Sequence, residues 1–245
     1  MASLGGLVAS VAHEISTPVG ITVTAASHLA EETERLRRSL IQGRIRKSDF
    51  EDFMSLATEA SQLILANSRR AAELINGFKQ VAVDQTTSDR RRFNLKSYIE
   101  EILMSLRPRL RQAGHQVRLE CPESIELNNY PGALSQIVTN LVMNALLHGF
   151  PSGQAGAMAL MIEEQAGDWL EMHFTDNGLG IAPEVRDKIF EPFFTTKKGA
   201  GGTGLGLYVV QCIVTRTLRG TIVLDSQEQQ GTGFRIRFPR DLDAA

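Results

Sequence analysis

The stretch Val11-Ala-His-Glu-Ile-Ser-Thr-Pro-Val-Gly20 decides how the first third of the chain is read. Around it the seam positions Leu4, Val8, Val11, Ile15, Thr22, Ala25, Leu29 and Leu36 alternate three and four residues apart, the spacing of a coiled coil. With Val8 and Ile15 at a and Val11 at d, His13 falls at the solvent-facing f position. Glu14 sits beside it at g, and Thr17 lies one turn further along the same face. A carboxylate beside an imidazole can hold one tautomer and leave the other ring nitrogen free to attack. Pro18 removes the helical bond to the carbonyl of Glu14, so a kink is expected just after His13. Taken alone, an exposed histidine on an amphipathic helix is more often a solvated side chain than a nucleophile.

Working outward, the first helix is expected from about Leu4 to Ile41, and Gln42 to Lys47, with Gly43, reads as a turn. Ser48 and Glu51 form an S-x-x-E capping box before a second stripe running from Phe53 through Leu56, Ala60, Leu63 and Ala71 to Phe78 and Val81. A second long helix therefore returns antiparallel to the first. One hairpin cannot cover both stripes, so a homodimeric four-helix bundle is expected. Gln85 to Arg92 is polar, ends in three arginines and reads as a linker. The chain divides accordingly into a hairpin over 1–84, a linker over 85–92 and a second domain over 93–245.

That second domain mixes periods of two and 3.6. Asn94 can cap a helix while Phe93 and Tyr98 form a hydrophobic staple, and Pro131 suits the first turn of another helix. Strands are expected at Gln116–Cys121, Ser124–Asn128, Ala157–Glu164, Trp169–Thr175, Thr221–Asp225 and Phe234–Phe238, with a helix from Leu205 to Leu218. The class is α+β, a sandwich with helices on one side of a mixed sheet. Four polar or glycine-rich motifs interrupt it. Asn140, Asn144 and His148 recur every four residues on one helical face, where amide oxygens could ligate a hydrated magnesium ion. Asp176-Asn-Gly-Leu-Gly180 follows a strand, and a carboxylate there can accept from an adenine amine and repel a guanine carbonyl. Phe190-Glu-Pro-Phe-Phe194 precedes Lys197 and Lys198, which could neutralise phosphate. Gly199-Ala-Gly-Gly-Thr-Gly-Leu-Gly206 runs into a helix whose free N–H groups would face an anion, without the lysine and serine of a Walker loop. Each motif has an ordinary alternative, from buried amide bonding to a plain turn.

Composition narrows the class further. A chain of 245 residues with 42% hydrophobic content can build a proper core, and a net charge of −2 gives no broad reason to expect nucleic acid or anionic membrane as a partner. The arginines and lysine between Arg35 and Lys47 read as a solvated helix end. Cys121 and Cys212 have neither metal spacing nor a disulfide framework. No apolar run approaches the roughly 18 residues of a membrane span, so no membrane contact is expected and the expected setting is cytoplasmic. Because the seam starts within four residues of Met1, an upstream input segment is expected.

The order of the four motifs, together with His-Glu-x-x-Thr-Pro, resembles the sensor histidine kinases of two-component systems over nearly the whole chain. The resemblance implies autophosphorylation of His13 by ATP with Mg2+, transfer to an aspartate of a response regulator receiver domain, and regulator dephosphorylation aided by Thr17. It implies Glu14 as the group that orients and activates the ring, and Asn144 as the metal ligand supported by Asn140. Asp176 would select adenine, and Gly178, Gly180, Gly204 and Gly206, with Leu205 and Leu207, would shape the pocket. Lys197, Lys198 or His148 would approach the phosphates. Two departures stand out: Leu147 occupies a position commonly basic in the family, and Ser16-Thr17 replaces an asparagine pair or Arg-Asn. A phosphatase-dominant pseudokinase and a nucleotide-binding dimeric scaffold are the alternative readings.

Overall fold

The computed structural model of the chain describes residues 4–83, 90–151, 153–197, 202–226 and 230–242. The chain divides into two compact units, Met1–Lys79 and Gln80–Ala245.

The first unit consists of α1 (Leu4–Ile41) and most of α2 (Lys47–Val83). α1 keeps its helical course through Pro18. Ser16 and Thr17 donate from their hydroxyls to the carbonyls of Ala12 and His13, at 2.7 and 3.4 Å, and Thr22 donates to Pro18 O at 2.9 Å. Such bonds one turn back compete with the helical ladder and favour bending. Val11 and Pro18 are buried, as are Ala60, Ala71 and Leu74 of α2. Arg70 Nη2 lies 3.9 Å from Glu14 Oε2, so α2 runs back along α1. Ser48 and Glu51 do not form the expected box. The helix starts two residues earlier, at Lys47, and Asp49 Oδ2 accepts from Arg46 N at 3.0 Å, while Lys47 Nζ draws Glu51 to 3.3 Å. Asp49 stands at the third helical position, where a carboxylate satisfies an orphan N–H and meets the positive end of the helix.

In the second unit β1 (Arg91–Asn94) opens the fold, followed by α3 (Leu95–Ala113), β2 (Gln116–Glu120) and β3 (Glu126–Asn129). Arg91 and Arg92, assigned by composition to a linker, pair instead with Asn129 and Asn128. Arg90 Nε donates to Asn128 O at 3.1 Å, and its guanidinium pairs with Asp241. These partners come from distant sequence, which a local polarity reading does not see; residues 84–89 lie outside the described residues. Asn94 Oδ1 accepts from Ser97 N at 3.0 Å, and the Phe93 and Tyr98 rings meet edge-on at 5.2 Å, the expected cap and staple.

α4 (Pro131–Asn144) widens into a π-helical segment, Ala145–Gly149. Next come β4 (Ala157–Gln165), β5 (Trp169–Asp176), a 3-10 turn (Pro183–Lys188), α5 (Gly206–Cys212) with a π-helical extension (Ile213–Thr217), β6 (Thr221–Ser226) and β7 (Thr232–Pro239). The large sheet has the order β2-β4-β5-β7-β6, with β2 and β4 parallel and the other pairs antiparallel. Along β5 the buried residues Leu170, Met172 and Phe174 alternate with half-buried ones. They join Ile99 of α3, Leu134 and Ile137 of α4 and Val210 of α5 in one apolar cluster. Each side chain buried this fully contributes about 1.5–3 kcal/mol. The cluster holds α4 and α5 against the sheet and so sets where their polar faces stand.

Candidate functional site

Asp176, the last residue of β5, is buried between β4 and β7. Its Oδ1 accepts from Gly178 N at 2.9 Å and from Thr232 N at 3.3 Å. Burial pushes this carboxyl above the usual aspartate range, and the bonds from Gly178 and Thr232 pull it part of the way back. Gly178 is pressed on the end of α4: Leu179 N donates to Gly149 O at 2.7 Å, and a Cβ on Gly178 would lie 2.1 Å from that same oxygen. Gly180, with φ of 70°, turns the chain away. Ser226 Oγ donates to Gly231 O at 3.0 Å and accepts from Ile181 N at 2.9 Å, tying this turn to the start of β7.

The α4 face carries the second part of the site. A Cβ on Gly206 would lie 3.1 Å from Asn144 Oδ1, 3.2 Å from Asn144 Nδ2 and 3.5 Å from Asn140 Oδ1. The opening turn of α5 therefore meets the two asparagines directly. Asn144 Nδ2 is buried without a hydrogen-bond partner, and so is Gln136 Nε2 two turns earlier on the same helix. A buried amide left unpaired costs about 1–3 kcal/mol, which a ligand can recover. Rotated by half a turn, the same amide would present a hard oxygen, so the donor set fits a magnesium ion bound to phosphate. Among the described residues there is no group of three histidine, cysteine or carboxylate side chains that could hold a metal.

His148 stands in the π-helical segment, its Nδ1 3.1 Å from Thr196 Oγ1. Burial, reinforced by the nearby Lys197 charge, holds this imidazole below its ordinary pKa and hence neutral at pH 7. It can offer a hydrogen bond to an anion but little charge. Lys197 is exposed, while Lys198 and Gly199 to Gly201 lie outside the described residues. Gly204, at φ of 70°, lies so close beneath Phe193 that a Cβ would come within 2.3 Å of the Phe193 carbonyl carbon. Leu205 is buried and Leu207 packs on the core, so both serve the pocket by fixing Gly206 between them.

In the helical unit His13 and Thr17 are exposed. Glu14 faces Arg70 at 3.9 Å, and among the described residues it makes no hydrogen bond to the His13 ring. Consecutive residues on a helix point about 100° apart, which accounts for the difference from the sequence expectation.

Residues 129–242 match the family described as histidine kinase-, DNA gyrase B- and HSP90-like ATPase. Over 240 residues the chain is 31% identical to the sensor histidine kinase ZraS of Salmonella typhimurium, covering 98% of this chain and 46% of that protein. These matches support a sensor histidine kinase. The chain spans under half the length of this curated relative. The catalytic domain of histidine kinase ThkA superposes on this chain with a TM-score of 0.56 at 26% identity, covering 64% of this chain and 99% of that one. ThkA in complex with the response regulator protein TrrA shares the fold over 97% of this chain and 62% of that chain, with a TM-score of 0.61 at 22% identity.

Sequence reading missed two contributors to the pocket and one feature of the α4 polar stripe. Gly149 receives Gly178, Thr232 holds Asp176, and Gln136 extends the asparagine stripe by one more turn. The signals were present in the fourfold spacing of Gln136, Asn140 and Asn144 and in the Gln-Gly-Thr-Gly run before the last strand.

Proposed function

We propose that this chain is the core of a sensor kinase that moves the γ-phosphoryl group of ATP to His13 and onward to an aspartate of a response regulator receiver domain. The observation that carries the reading is the unpaired amide of Asn144 held against Gly206 and Asn140. Asp176, as a carboxylate, accepts from the adenine amine and rejects guanine. Asn144, supported by Asn140, would hold Mg2+, which when bound would offset the charge of the phosphate oxygens. Lys197 and Lys198 add positive charge from the segment before α5, and His148 contributes a neutral hydrogen bond.

The exposed His13 ring attacks the γ-phosphorus in line. A nitrogen–phosphorus bond forms as the bond to the bridging oxygen breaks, ADP leaves with the electron pair, and the ring proton passes to Glu14. Glu14 must first leave Arg70. Exposed pairs of this kind are worth about 0–1 kcal/mol, so the exchange is cheap. In the second transfer the nitrogen–phosphorus bond breaks and an aspartyl oxygen takes the phosphoryl group; the TrrA complex of ThkA supports a receiver domain as the acceptor. Thr17 orients water for hydrolysis of the regulator's aspartyl phosphate, in which the water oxygen bonds to phosphorus, the aspartyl oxygen leaves as carboxylate and inorganic phosphate is released. The 3.4 Å bond from Thr17 to His13 O is long enough to be surrendered easily.

The kinase acts as a homodimer. Val19, Ile21, Val23, Phe50, Met54 and Leu63 are exposed on the two helices, an apolar surface that a second hairpin would cover. The phosphoacceptor part extends to about residue 84 and the nucleotide part begins with β1 at Arg91. No helix among the described residues is long and apolar enough to cross a membrane, and we assign the reaction to the cytoplasm, where ATP and receiver domains meet.

Incubation with labelled Mg-ATP tests the proposal, comparing the native chain with His13→Ala and Asn144→Ala. The expected result is acid-labile, alkali-stable label on the native chain and none on either variant. Nucleotide binding without label would favour a dimeric scaffold, and dephosphorylation of a regulator without label would favour a phosphatase-dominant pseudokinase.

A further inference from the structure

The β2 edge of the large sheet is paired on one side only, with β4. Gln116 N donates to Gly156 O at 3.1 Å on the β4 side. Strand alternation therefore turns the N–H and C=O groups of Val117 and Leu119 away from the sheet. A row of outward backbone groups is a template for a further strand.

This edge opens into a groove. Gly114, at φ of 73°, ends α3 and reverses the chain, so that α3 and β2 run side by side in opposite directions and enclose about 740 Å3. Leu103, Met104, Val117 and Leu119 give the groove an apolar lining, and Met104 is 60% exposed. Arg107 and Arg111 line the half nearer Gly114, with Glu100 at the far end. Neither arginine side chain has an ion-pair or hydrogen-bond partner among the described residues.

From Met104 to Arg111 the helix rises about 10.5 Å, and three alternate residues of an added strand span about 14 Å, a difference that the long arginine side chains can bridge. A strand running antiparallel to β2, the stronger pairing, enters at the Met104 end and leaves at the Gly114 end. Its successive side chains facing α3 would meet Met104, then Arg107, then Arg111. An apolar residue followed at alternate positions by two carboxylates matches that series.

We infer that the groove between α3 and β2 docks an extended segment of a partner protein, apolar and then acidic in the order just described, which adds to the sheet as a strand beside β2. Backbone bonds to Val117 and Leu119 supply affinity, and the arginines supply register and choice of partner. This surface is independent of the phosphoryl chemistry.

The test uses the full 245-residue chain and a capped hexapeptide, Thr-Ile-Thr-Glu-Thr-Glu, at millimolar concentration, with amide exchange read residue by residue. Exchange of the Val117 and Leu119 amides is expected to slow about tenfold, as for amides newly placed in a ladder. The effect should vanish for a peptide with lysine in place of both glutamates, for one N-methylated on its pairing side, and for the protein variant Arg107→Glu/Arg111→Glu. The peptide controls leave the protein unchanged, so a folding defect cannot imitate the result. Unaltered exchange, or equal protection by the N-methylated peptide, would overturn the proposal. So would protection that rises with protein concentration in the absence of peptide, because the edge would then belong to a second copy of the chain.

Discussion

In the helical unit the described hydrophobic residues that are fully buried are Val11, Ala60, Ala71 and Leu74, whereas the sheet unit buries a continuous apolar cluster from Leu95 to Phe238. The proposed chemistry divides along the same line. His13 and Thr17 stand in solvent on a helix surface, while Asp176 and Asn144 are fixed by packing before any nucleotide arrives. A nucleotide pocket gains from such preorganisation, because the groups that meet the ligand need not be ordered at the moment of binding. A phosphoacceptor that must meet a donor, then a receiver domain, gains from access. The contrast teaches that one chain can hold rigid and open chemistry by giving each its own scaffold.

The strongest way to break this contrast is to remove core from both units. Leu160→Ala in β4 should lower stability by about 2–5 kcal/mol, whereas Leu63→Ala on α2, half-exposed, should change it by less than about 0.5 kcal/mol at low protein concentration. Denaturant melts would show this, and equal losses would mean that the helical unit is packed far more tightly than its surface suggests. A smaller effect is expected at the pocket. Asp176→Asn replaces an ionised acceptor with a neutral amide and should weaken ATP binding about 10–100-fold, read by titration calorimetry, with GTP hardly affected.

The pH dependence sharpens the same point. Burial raises the pKa of Asp176 above the ordinary 3.8, and the ionised form is the stronger acceptor for the adenine amine. Affinity should therefore hold near neutral pH and fall on acidification, beginning at a higher pH than for an ordinary aspartate; Asp176→Asn should abolish that dependence. For the free protein the sign is opposite, since a raised carboxyl pKa makes this residue favour the fold more as pH falls. The smallest effect belongs to the exposed pair. Arg70→Ala should cost no more than about 1 kcal/mol in stability while leaving Glu14 freer to take the His13 proton, so autophosphorylation should be unchanged or faster. A large loss of stability would show that this pair orders the hairpin.

Much of this was legible in local pattern. The limits of α1, the cap at Asn94, its staple and the alternation of β5 are written in neighbouring residues, because helix and strand periods act over a few positions. What escaped depends on distant partners. β1 exists because residues near 128 return to it, Thr232 reaches Asp176 through the register of β5 and β7, and Gly149 is chosen by the close approach of Gly178. The Arg70 contact of Glu14 escaped for the same reason, since Arg70 comes from the second helix of the hairpin. The motif residues of the pocket were recognisable as a set, yet the orphaned Gln136 shows that the spacing extended further than the motif.

The contact of Gly204 with Phe193 has a consequence for engineering. At this point the two backbones lie too close for any side chain, so a substitution at 204 would have to part them and would carry Gly206 and the opening of α5 away from Asn144. Gly204→Ala is thus a handle for weakening nucleotide capture without touching the apolar cluster of the sheet unit.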